Sequence, residues 1–173
     1  NPGVDLATAK FTKEGIPGVI LETYLHEKHI IPEKADIYST LYLITPGETE
    51  VDMETLYTAL MDFEKAYLNN EPLKQVMPQL SNAFPDRYSN YTLHDLCQEM
   101  HEYYRSNHIF DLEKQLFIKN DFQKYVMTPA KADEEFNRNN SKLVEVDNLT
   151  DEIALEGALP YPPGVFIVAP GER

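Results

Sequence analysis

The sequence predicts an α+β fold, a small helix–strand–helix subdomain followed by a mixed α+β C-terminal domain. Three observations carry that expectation. Apolar residues recur at helical spacing around Val19 to Leu25 and again from Met53 to Tyr67. Between them lies a β-branched and aromatic run, Ile37 to Ile44, closed by Pro46-Gly47. Late in the chain the helical period gives way to short apolar runs separated by turn-forming residues.

The elements follow in order. The first helix is entered through Gly15-Ile16-Pro17, where proline suits a helix start, and runs out near His29. Ile30-Ile31-Pro32-Glu33-Lys34 leads into the strand over 37–44. In the second helix Met53, Leu56, Leu60, Phe63 and Tyr67 share one face. Residues 69–90 carry Pro72, Pro78 and Pro85 and read as irregular, with at most one short helix near 73–77. A domain boundary is placed there, dividing the chain into 1–70 and 71–173.

Thr92 and Asp95 make a capping-box-like start for a third helix, which buries Leu93, Leu96, Cys97, Met100 and Tyr104. A further helix begins at Asp111, with Leu112, Leu116 and Phe117. Thr128-Pro129 pairs an N-cap residue with proline at the first helical position. The acidic run Asp133-Glu134-Glu135 is expected near that positive helix end, and the helix ends by Asn139-Asn140. Short strands over 143–146, 153–156 and 165–169 complete the reading.

Composition bounds the function. A hydrophobic fraction of 42% supports a packed core, and no apolar run approaches the length of a membrane span. No signal peptide opens the sequence. Cys97 is the only cysteine, so an internal disulfide and a cysteine-based zinc site are excluded, and a cytoplasmic location is expected. The net charge of −14 opposes nucleic-acid binding and favours cationic ligands. The start at Asn1-Pro2-Gly3 and the end at Glu172-Arg173 suggest a piece of a larger polypeptide.

Unaided chemistry yields no catalytic machine. His26 and His29, and His94 and His101, are spaced to share helical faces, but neither pair has the His-Glu-x-x-His form. They are read as surface histidines, and no metal is expected. Cys97 lies on an apolar helix face as a small hydrophobe. There is no Gly-x-Ser-x-Gly elbow and no glycine-rich phosphate loop, and the many carboxylates single out no acid/base pair. Tyr161, bracketed by Pro160, Pro162 and Pro163, sits in a stiff loop. Either that loop presents the ring to something or it is a proline-rich connector.

The segment Glu156 to Gly164, with Pro-Tyr-Pro-Pro-Gly at its core, and then Ala169-Pro170-Gly171-Glu172, resembles the closing signature of the bacterial ornithine/lysine/arginine decarboxylases, which use pyridoxal phosphate (PLP). Similar matches are His29-Ile30-Ile31-Pro32-Glu33-Lys34, Leu41 to Pro46, Tyr91-Thr92-Leu93 and Leu96 to His101. Glu156-Gly157-Ala158 looks like the ornithine version. The resemblance implies that 1–70 ends the small subdomain of an aminotransferase-like PLP fold and that 71–173 is the family's C-terminal domain.

It further implies part of a cytoplasmic homo-oligomeric enzyme that converts L-ornithine to putrescine and CO₂, with PLP as electron sink. The family's Ser-x-His-Lys is absent here, so the isolated chain is expected to be inactive and to hold neither catalytic nor cofactor-binding residues. Two substrate-shell positions carry over by resemblance. Glu33 resembles the carboxylate near the substrate's distal ammonium, against the alternative of a surface Glu beside Lys34. Tyr161 resembles a residue contributed near the active site, against a tyrosine packed for stability. The alternative for the whole chain is a non-catalytic binding or assembly module.

Overall fold

The computed structural model describes residues 3–5, 7–8, 10–117, 122–161 and 164–173. They fall into two compact units, Asn1–Phe110 and Asp111–Arg173.

The first unit is built on three helices, α1 (Gly18–Glu27), α2 (Glu50–Leu68) and α6 (Leu93–Ser106). Ile20, Tyr24 and Leu25 of α1 meet Ala59, Phe63 and Ala66 of α2 and Leu93 and Cys97 of α6. The Tyr24 and Phe63 rings pack edge to face at 5.1 Å. Leu25, Leu73 and Leu93 are fully buried, each stabilising the fold by roughly 1.5–3 kcal/mol through the area it removes from water. Two minimal hairpins complete the unit, β1 (Val4–Asp5) with β2 (Lys10–Phe11), and β3 (Lys34–Ala35) with β4 (Thr40–Leu41).

The strand expected over 37–44 is therefore mostly not a strand. Residues 36–39 are the turn of the second hairpin: Asp36 N donates to Ser39 O at 2.8 Å, and the Asp36 carboxylate accepts from Ile37 N at 2.7 Å. A local side-chain-to-backbone bond competes with a ladder and wins. The Gly18 N–H donates to Ile37 O at 3.0 Å, which ties this turn to the start of α1.

Residues 69–90 are not irregular either. They hold α3 (Leu73–Val76), α4 (Pro78–Ala83) and α5 (Pro85–Tyr88). Each proline stands at a helix start, Pro72 as the flanking residue and Pro78 and Pro85 at the first position, where a missing N–H costs nothing. Glu27 of α1 accepts from Gln79 N at 3.0 Å and Leu80 N at 2.9 Å, satisfying two donors that open α4. Leu73, Val76 and Met77 join the core of α1, α2 and α6, so the first compact unit runs through residue 70 and on to Phe110.

The capping box of α6 is present in both directions, Asp95 N to Thr92 Oγ1 at 3.1 Å and Thr92 N to Asp95 Oδ2 at 3.0 Å. α7 (Ile109–Phe117) follows.

In the second unit Thr128 caps α8 (Pro129–Asn137) by accepting from Lys131 N at 3.1 Å. No acidic residue lies in its first turn; Glu134 and Glu135 instead bridge back to Lys131 at 3.2 and 2.9 Å. The three expected strands do not form regular ladders among the described residues. Val146–Asn148 is a single 3₁₀ turn. Isolated bridges join Tyr125 to Glu172 and Ala158 to Val168. The final segment organises what pairing there is. Arg173 and Lys124 exchange backbone bonds at 3.0 and 3.2 Å, and Ala154 N donates to Glu172 O at 2.9 Å. Gly171 N donates to Ala154 O at 2.7 Å, while its carbonyl accepts from Met127 N at 3.0 Å.

Gly171 has φ +93°, and a Cβ there would lie 2.1 Å from the Met127 carbonyl oxygen. Gly171→Ala is expected to cost about 1 kcal/mol or more, from both the left-handed backbone and the clash. Limited proteolysis of 122–127 and 154–173 checks this, faster cleavage being the expected result.

Candidate functional site

Glu33 opens β3. Its N–H donates to Leu41 O at 2.9 Å, the neighbouring Pro32 is buried, and its own side chain is exposed. Residues 33–41 thus hold Glu33 at the open end of a hairpin whose turn is fastened to α1. Tyr161 is 58% exposed, and a Cβ on Gly164 (φ +81°) would come within 3.2–3.3 Å of its ring, so the chain folds back against that ring. Pro162 and Pro163 lie outside the described residues. Glu33 belongs to the first unit and Tyr161 to the second.

The most developed polar cluster centres on His101, which is 0% exposed. Its Nε2 lies 3.0 Å from the Thr12 carbonyl oxygen and its Nδ1 2.7 Å from the Tyr38 hydroxyl. A carbonyl oxygen can only accept, so Nε2 carries the proton and Nδ1 accepts from Tyr38. Phe11 meets the imidazole edge-on at 5.9 Å. Burial first, then the nearby Tyr104 and Glu102, push the Tyr38 phenol up to about 12, so it remains a donor. Both nitrogens are occupied by protein, and the cluster joins α6 to the β3–β4 turn and the end of the β1–β2 hairpin. It is a structural device.

Sequence reasoning took His101 for a surface residue. Its position one turn after Cys97, on the face that also carries Leu93 and Tyr104, was the signal that it is buried. The other histidines do not converge. His94 stacks on Tyr67 at 5.1 Å, His26 is exposed, and His29 takes φ 61° just past the end of α1. Among the described residues no three His, Cys, Asp or Glu side chains group as a metal site. Cys97 is buried, which pushes its thiol up to about 12 and leaves it an inert hydrophobe.

Two open cavities lie in the first unit. One, of 440 Å³, runs between α1 and α2 past Tyr24, Lys28, Glu54 and Asp62. The other, of 330 Å³, is walled by Ile16, Leu21, Tyr38, Tyr42, Leu60 and Phe63. PLP needs a lysine amine beside an anion-binding cradle. The first cavity offers Lys28, set over the Tyr24 ring at 5.4 Å, together with two carboxylates that would repel a phosphate, and the second has no basic group. Neither fits the cofactor.

Comparison with known proteins decides the family. The Orn/Lys/Arg decarboxylase major domain matches residues 1–52, and the C-terminal domain of the same family matches 110–173. The chain belongs to the Orn/Lys/Arg decarboxylase family. It is 45% identical over 172 residues to the inducible ornithine decarboxylase of Lactobacillus sp. (strain 30a), covering 99% of this chain and 24% of that protein. The ornithine decarboxylase of Haemophilus influenzae is 44% identical over the same coverage. Relatives named as lysine or arginine decarboxylases are 29–36% identical. The solved constitutive lysine decarboxylase of E. coli superposes with a TM-score of 0.86 at 29% identity, over 99% of this chain and 24% of that one. The chain thus spans about a quarter of the length of these family members. Its helices with small antiparallel hairpins are the α+β class expected from sequence. No described helix is long and apolar enough to cross a membrane.

His101→Ala should take the ring partner from the Tyr38 hydroxyl and leave a new cavity, at a cost of about 3 kcal/mol in urea unfolding. Nitrogen-15 NMR should find His101 protonated at Nε2. A second expectation concerns acid. The Thr92 N–H, then the Thr92 hydroxyl, hold the Asp95 carboxyl below its ordinary value of 3.8. A depressed carboxyl contributes stability above that ordinary value and loses it as pH falls through the folded one. Unfolding of Asp95→Asn should therefore depend less steeply on pH below 3.8 than that of the parent sequence.

Proposed function

We propose that the chain is the C-terminal part of a PLP-dependent ornithine decarboxylase. The parent protein splits the bond from Cα to the carboxylate of L-ornithine, releases CO₂ and returns a proton to Cα, giving putrescine. One observation carries the reading: identity of 39–45% across essentially the whole chain to relatives named as ornithine decarboxylases, against 29–36% to relatives named for lysine or arginine.

Glu33 supplies the carboxylate that meets the distal ammonium of ornithine, through a charge-assisted hydrogen bond that a substrate lacking that group cannot make. The fixing of residues 33–41 to α1 supports this role, because a specificity carboxylate must be held still. Tyr161, in its proline-bracketed loop, is contributed near an active site of the assembled parent protein. PLP is held by residues of the parent protein outside this chain, and the chain alone neither binds it saturably nor decarboxylates. The parent protein is a cytoplasmic homo-oligomer.

The test is a decarboxylation assay of the parent protein with PLP, offering ornithine, lysine and arginine in parallel. Putrescine from ornithine, with little product from the other two, is expected. Glu33→Ala in that protein should raise KM for ornithine about tenfold or more with a smaller change in kcat. An unchanged kcat/KM removes Glu33 from the site. No product from any of the three substrates makes a non-catalytic assembly role the better reading.

A further inference from the structure

Gly18 is buried at the first position of α1, and its backbone does not require a glycine, since its φ lies outside the left-handed region. Alanine is the better helix former, by about 1 kcal/mol in a helix interior. What excludes a side chain is the neighbouring turn. A Cβ on Gly18 would lie 2.3 Å from the Ser39 carbonyl oxygen and 2.4 Å from that of Asp36. Both obstacles are backbone, so no rotamer change makes room. The bare Cα lets the turn over 36–39 seat directly on the start of α1, where Gly18 N donates to Ile37 O at 3.0 Å.

From that seat to Glu33 the hairpin is a continuous ladder. Asp36 N donates to Ser39 O at 2.8 Å, Ala35 pairs with Thr40 and Lys34 with Leu41, and Glu33 N donates to Leu41 O at 2.9 Å. A ladder this short moves as one piece, so a displaced turn carries Glu33 with it. Non-bonded heavy atoms rest about 3.5 Å apart, so a methyl group at position 18 would drive the turn outward by roughly 1 Å. A recognition group must be held to within about 0.5 Å of its productive place. Ornithine and lysine differ by one methylene, a difference worth about 10–200-fold in enzyme discrimination.

We propose that Gly18 is a positioning residue for substrate specificity. By admitting the 36–39 turn to the start of α1, it sets where the Glu33 carboxylate meets the distal ammonium. Selectivity among diamino acids of different length then depends on a backbone contact that touches no substrate. The inference rests on the reading of the chain as part of an ornithine decarboxylase with Glu33 in its substrate shell.

The test is steady-state kinetics of the parent protein with PLP on ornithine and lysine, with Gly18→Ala introduced alone and together with Glu33→Ala. Alone, Gly18→Ala is expected to raise KM for ornithine about tenfold with kcat within about twofold, and to lower the ornithine-to-lysine ratio of kcat/KM. Added to Glu33→Ala, it should change kcat/KM for ornithine by less than about twofold, because no carboxylate is left to position. Hydrogen–deuterium exchange of the same proteins should show faster exchange over 33–41. A loss of the same factor in both backgrounds means a role in the fold alone and overturns the proposal, as does unchanged kcat/KM in folded Gly18→Ala. Should that variant not fold, Asp36→Ala loosens the same turn without adding an atom, by removing the carboxylate that accepts from Ile37 N at 2.7 Å. It is expected to give the same rise in KM, and an unchanged kcat/KM overturns the proposal. A parent protein that turns over ornithine equally well with and without Gly18→Ala refutes this inference and leaves the proposed activity standing. One that turns over neither substrate refutes the proposed activity, and this inference falls with it.

Discussion

A fully buried histidine, paired at both ring nitrogens, ties three elements of the first unit together. Burying His101 is tolerable only while both ring nitrogens are paired, since a lone buried polar atom is penalised by its lost hydration. Pairing both fixes three elements at once: the helix that carries the ring, the turn that carries Tyr38, and the chain after β2 that carries Thr12. Space around the ring is correspondingly tight. A Cβ on Gly3 would lie 2.2 Å from the Tyr38 ring and 2.7 Å from His101 Nδ1, and one on Gly15 would lie 2.4 Å from the Gly3 Cα. Two glycines thus let backbone pack where no side chain fits. The hairpin bearing Glu33 inherits its position from this arrangement, because its turn is the one Tyr38 anchors.

The two units differ in how they are held. The first has a contiguous core drawn from α1, α2, α3 and α6. In the second, Ala132 is the single buried hydrophobic residue among those described, while Leu143 is 98% exposed. Its pairing is backbone hydrogen bonding around 167–173 rather than side-chain burial. Such bonds contribute only about 1 kcal/mol each net of water. Among the described residues, backbone pairing rather than a side-chain core organises the second unit.

Much of the first unit was legible because its signals are local. Capping at Thr92, proline at 17 and the period-3.6 faces of α1, α2 and α6 act within a turn or two of themselves. The errors arose where a local signal has two meanings. Pro72, Pro78 and Pro85 were read as breakers when they are helix starters, and β-branched residues near Ile37 were read as strand when Asp36 turns the chain. The burial of His101 was not legible from its residue type, because its partners Thr12 and Tyr38 are 89 and 63 residues away in sequence. Glu33 and Tyr161 came from family resemblance alone; neither periodicity nor charge distinguishes them.

The proposed role of Glu33 requires that the hairpin held by His101 and Tyr38 deliver it to the substrate. Its most direct test is an experimental structure of the parent protein with PLP and an ornithine analogue that cannot lose CO₂. The account predicts the Glu33 carboxylate within hydrogen-bond distance of the distal ammonium, with the Tyr38–His101–Thr12 cluster intact behind it. An ammonium bound by other groups, with Glu33 turned to solvent, would contradict it.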